Sequence, residues 1–115
     1  MINIVGDDYK LLVVIVNKKE ARNVVLACKE AGAEGDTVLA GRGTGTHDPD
    51  SIFGVKVEPE KEIILSIVHN NMINEVLDAA TEAANLNKPG TGIAFTLDSK
   101  SICGIAHHLQ STSDK

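Results

Sequence analysis

The stretch Leu11-Leu-Val-Val-Ile-Val16 constrains the fold most: six consecutive aliphatic residues, four of them β-branched, predict a strand covered on both faces or lying centrally in a sheet. Directly after it the hydrophobic pattern changes to a helical one. Asn17 stands three residues before Glu20, the spacing of a capping box. Ala21, Val24, Val25, Cys28 and Ala31 then recur on one helical face as far as Gly32, a C-terminal stop. A strand followed by a helix over 18–32 is the expected opening unit.

The unit recurs later in the chain. Lys61 to Val68, rich in Ile and Val and led in by Pro59, predicts a strand. Asn70 or Asn71 can cap a helix over 71–85, in which Met72, Ile73, Val76, Leu77, Ala80 and Ala83 or Ala84 form one apolar stripe. Between the two units, Asp36 to Ala40 is short and β-compatible; after the second, Ile93 to Asp98 alternates as a half-buried strand does. Residues 43–58 read as a long surface loop with weak strand character at its end, and Ile102 and Ile105 as a short strand or turn. The order βαββαβ in so short a chain predicts the α+β class. Both helices are expected on one face of a four-stranded antiparallel sheet, the ferredoxin-like arrangement, with the long loop after strand two.

At 115 residues the chain makes one domain, 1–115, with its core from about 10 to 105 and a polar tail, 106–115, expected to fray. Only Tyr9, Phe53 and Phe95 are aromatic, so the core must be aliphatic. A net charge of −5, without a basic cluster or rings for base stacking, argues against nucleic-acid binding. Cys28 and Cys103 lack CxxC spacing and read as reduced, small core residues. Met1 to Lys10 has no apolar segment behind a basic head, and the longest apolar run is far too short to cross a bilayer. A cytoplasmic protein without membrane insertion is expected.

Two segments can carry chemistry. In Gly41-Arg42-Gly43-Thr44-Gly45-Thr46 alternate glycines open backbone N–H groups to an anion, Arg42 adds charge and the threonines add hydroxyls. It is neither a Walker A loop nor a dinucleotide-binding turn, because the GK[ST] end is missing and a long loop follows instead of a helix. Lys88-Pro89-Gly90-Thr91-Gly92, between helix two and strand four, offers a second open backbone with a point charge. Each alone also reads as an ordinary turn; brought to the same edge region they would make a phosphate cradle. His47, His69, His107 and His108 show no zinc-ligand spacing, and no nucleophile or acid–base frame stands out, so neither a metal site nor a catalytic residue is assigned.

Taken in order, the strand, helix, strand, glycine-rich loop, Pro-led strand, helix, K-x-G-x-G loop and strand resemble the PII nitrogen-regulatory signal-transduction family and its divergent PII-like bacterial branch, over residues 10 to about 105. Gly43-Thr-Gly45 matches the glycine pair at the base of that family's T-loop, and Lys88 to Gly92 its B-loop. The resemblance implies a homotrimer with adenine nucleotide (ADP, ATP or AMP, with or without Mg2+) in the clefts between subunits, and Thr37 beside the base. It also implies that the 43–58 loop, with His47, Ile52 and Phe53 at the contact, regulates a transporter or a metabolic enzyme. The family's trailing B-loop lysine falls on Ile93 and its paired C-terminal arginines on Gly104 and Ala106, so weaker ATP binding is expected. The loop has no tyrosine to modify.

Other readings stay open at this point. The same trimer could sense a cyclic dinucleotide, bicarbonate or a metal ion; a small cleft enzyme would instead need turnover dependent on Lys88 or a histidine. A structural trimer would show no stabilisation by any ligand.

Overall fold

The computed structural model describes residues 3–5, 8–43, 51–52, 55–56 and 60–104. Its elements are β1 (Asn3–Val5), β2 (Tyr9–Asn17), α1 (Ala21–Ala31), β3 (Thr37–Arg42), β4 (Ser51–Ile52), β5 (Val55–Lys56), β6 (Glu60–His69), α2 (Ile73–Ala84), β7 (Gly92–Asp98) and β8 (Ser101–Cys103). The main sheet runs β3-β6-β2-β7, with every neighbouring pair antiparallel. This is the ferredoxin-like order. The aliphatic run from Leu11 to Val16 is therefore central, flanked by β6 and β7.

Register decides what each face carries. Leu12, Val14 and Val16 of β2 share a face with Ile64 and Val68 of β6, and both helices close over it with Ala21, Val24 and Cys28 from α1 and Ile73, Val76, Ala80 and Ala84 from α2. The seam between the helices is lined by Ala27, Ala31, Ala79 and Ala83, small enough to let the helix backbones approach closely. On the opposite face the odd-numbered positions of β2 and β6, Leu11, Val13, Ile15, Ile63, Leu65 and Ile67, lie beside Leu39, Ile93, Phe95 and Leu97 of the edge strands. Among the described residues none covers these edge positions: Ile93 is 55% and Leu97 50% exposed. The sheet is apolar on both sides, which the continuous run foretold, but among the described residues only one side is covered by helices.

Local details depart from the sequence reading at several points. Tyr9 belongs to the first main strand and is buried, its ring edge-on to His69 at 5.0 Å. Each helix opens with a 3₁₀ turn, Lys18–Glu20 and Asn70–Met72, so the α-helices start later than the periodicity suggested. Asn17 makes no capping bond; its Oδ1 accepts from Lys61 Nζ at 2.8 Å, tying β2 to β6. The second turn is capped by His69, whose Nδ1 accepts from the Asn71 backbone N–H at 3.1 Å, and not by an asparagine. Gly32 does end α1, with φ at 125°. The 43–58 loop holds a paired ribbon, Ser51↔Lys56 and Ile52↔Val55. Asn3–Val5 pairs with Ser101–Cys103, a ribbon that the sequence reading half anticipated. Cys28 is buried as expected, whereas Cys103 is exposed and is no core residue.

Candidate functional site

The two glycine-rich segments meet the sheet at the same end. Arg42 faces Glu60 at the last pair of β3 and β6, Asn17 faces Lys61 at the end of β2, and Gly92 faces Val16 at the start of β7. The same edge region expected from the sequence is not what strand order gives. β3 and β7 are opposite edges of the sheet, so three strand spacings, about 14 Å, separate the segments within one copy. Within one copy the two segments therefore do not adjoin.

On the β3 side, Gly41 and Arg42 end the strand and Gly43 follows it. A side chain at Gly43 would meet nothing within 4 Å, so its backbone stands open. A cleft of about 340 Å³ lies here, with Gly41 and Arg42 on one wall and Glu60, Lys61 and Glu62 of β6 on the other. Lys18 lines it too, its Nζ 3.5 Å from Glu60 Oε2, an exposed pair that contributes little to stability. Thr37 sits at the opposite end of β3, five residues and about 17 Å along the strand, exposed beside Leu65 on the uncovered face.

On the β7 side, α2 ends at Asn85 in the left-handed conformation, φ 54°, and Leu86 N–H donates to Thr81 O at 2.9 Å. That termination points Lys88 to Gly92 back toward the sheet. Lys88 N–H donates to Asn85 O at 3.0 Å, and the Thr91 hydroxyl lies 2.9 Å from both Asn85 O and Lys88 O. The Thr91 proton is thus used in holding the loop closed. Lys88, Pro89 and Gly90 are exposed. Gly92 has φ 150°, and a Cβ there would collide with the carbonyl oxygen of Ile15. Its missing side chain is accounted for by the close pass of β7 over β2.

Thr44, Gly45, Thr46, His47 and Phe53 lie outside the described residues, as does the side chain of Ile52, whose backbone is in β4. Among the described residues no group of three or more His, Cys, Asp or Glu is placed to hold a metal ion. One group the sequence gave no reason to single out is Asp36, next to Thr37. Both of its carboxylate oxygens are shut off from solvent and have no hydrogen-bond partner.

The family model for nitrogen regulatory protein P-II matches residues 9–107. With most of the chain matched and the fold as described, the chain belongs to the P-II nitrogen regulatory protein family. Members of that family are typically trimeric regulators of partner proteins and not enzymes, which makes this chain a signal-transduction regulator. No curated protein matches it. Among the described residues no helix is long and apolar enough to cross a membrane.

Proposed function

We propose that this chain is a homotrimeric adenine-nucleotide sensor that controls a transporter or a metabolic enzyme through its 43–58 loop. The observation that supports this reading is the placement of two glycine-rich segments at one end of the sheet but on opposite edges, an arrangement in which neighbouring copies can bring the two together. The uncovered apolar face supplies the reason to assemble, since contiguous exposed aliphatic surface on a sheet stabilises association when buried. Burying it in a three-fold assembly turns the sheets inward and leaves the helices outside.

In this reading Gly41, Arg42, Gly43, Thr44, Gly45 and Thr46 of one copy, with Lys88, Pro89, Gly90 and Gly92 of the next, enclose the phosphates. Backbone N–H groups and two cations bind the anion. Thr91 acts by shaping its loop, and Thr37 stands where a base would lie along β3. His47, Ile52 and Phe53 belong to the loop that meets the partner. A nucleotide that contacts the loop base differently in its different phosphate states shifts the loop between arrangements, and the partner reads the shift.

The test is thermal stability with AMP, ADP and ATP, each with and without Mg2+, beside bicarbonate and a cyclic dinucleotide. A ligand at 100 times its Kd adds about 2.7 kcal/mol to the native state. A selective upward shift with an adenine nucleotide, lost in Lys88→Ala, is the expected result. No shift with any adenine nucleotide would overturn the reading; a shift with bicarbonate or the cyclic dinucleotide alone would replace it with sensing of that molecule.

A further inference from the structure

Asp36 closes the link from α1 to β3 in an unusual setting. The link, residues 32–36, is pinned at three points. Ala33 is buried and its N–H donates to Cys28 O at 2.9 Å; the Ser66 hydroxyl of β6 donates to Gly35 O at 2.8 Å; and the Asp36 carboxyl is sealed beneath. Ser66 has one proton to give, and Gly35 takes it. Neither oxygen of Asp36 therefore has a donor, a state that a neutral carboxyl tolerates far better than a carboxylate.

We infer that Asp36 is a proton-controlled latch on the start of β3: neutral, it stays seated and holds Thr37 in the ladder; ionised, it leaves its seat and loosens Thr37 and the first pairs of β3. Burial pushes the Asp36 carboxyl up from its ordinary value; the Ser66 hydroxyl beside it, whose proton goes to Gly35 O, and the Lys29 ammonium of α1 offset this only in part. The other titratable group against it, Cys28 of α1, is pushed up to about 11 by burial and by the Asp36 charge itself, so it stays a neutral thiol while Asp36 titrates. β3 is an edge strand paired only to β6, so its first residue has a single ladder to lose. The latch sits on the strand that runs directly into the glycine-rich segment.

Hydrogen exchange of the full chain from pH 4 to 8, corrected for the intrinsic rate, tests this. In the native protein, protection of the amides of residues 36–39 is expected to fall by about tenfold or more as pH rises, while α2 keeps its protection over the same range. In Asp36→Asn, which cannot ionise, the same amides should hold constant protection. Unchanged protection in the native protein, or an equal loss in the variant, would overturn the latch. The inference does not require nucleotide binding: a chain that binds no nucleotide but shows the Asp36-dependent loss keeps the latch and refutes only the sensor.

Discussion

Asp36 has a thermodynamic consequence of definite sign. Its folded-state carboxyl holds a proton to higher pH than the same group in the unfolded chain, where the value is about 3.9. Between the two values the native state binds more protons, so stability falls as pH rises through that window and the penalty is constant above it. Asp36→Asn should therefore stabilise the protein above the window, by about 1 kcal/mol or about 4 °C in Tm, and bring no gain near pH 3. Thermal melts of both proteins across this range check it; a variant no more stable at pH 8 would mean the carboxylate finds water or a donor in solution. Gly92 and Thr91 make the complementary point. Both were expected at the ligand because glycine and threonine suit phosphate, and each also has a place in the fold: Gly92 in the pass over Ile15, Thr91 in the turn after α2.

Among the elements, hydrophobic pattern placed β2, β6, β7 and both helices, because a buried face leaves a trace in the sequence, whereas β3, which has no buried residue, was read only as a short β-compatible segment. What it could not place were ends and caps. The 3₁₀ turns before both α-helices, the His69 cap and the diversion of Asn17 to Lys61 depend on which side chain arrives from a strand distant in sequence. The ribbon within the 43–58 loop and the pairing of Asn3–Val5 with Ser101–Cys103 are likewise long-range choices of short segments with little pattern of their own. The two glycine-rich segments of the candidate site were legible; their separation onto opposite edges was not, since it follows from strand order. β7 carries the clearest expected effect on assembly. Leu97→Asp puts a charge on the uncovered face and should convert the assembled protein to monomer, seen by light scattering, with unchanged far-ultraviolet circular dichroism. An undiminished assembly mass would show that this face is not the contact.

At the scale of the whole molecule, one copy has a glycine-rich segment at each edge of its sheet, half a cradle each in the proposed reading, and an apolar face that none of the described residues covers. Both deficits are met by the same association, and membership of a typically trimeric family agrees with it. The central claim is that each nucleotide site takes its two glycine-rich segments from two copies. Two variants separate the halves: Lys88→Ala removes the charge of one, and Gly43→Val fills the open backbone of the other at a position where the fold leaves room. Calorimetric titration with ADP on each variant alone, and on the two refolded together in equal amounts, tests the claim most directly. Neither variant alone should bind, and the mixture should recover about a quarter of the native number of sites, because random trimers unite two intact halves in that share of clefts. A mixture as inert as its components, or a single variant that binds like the native protein, would contradict the shared site.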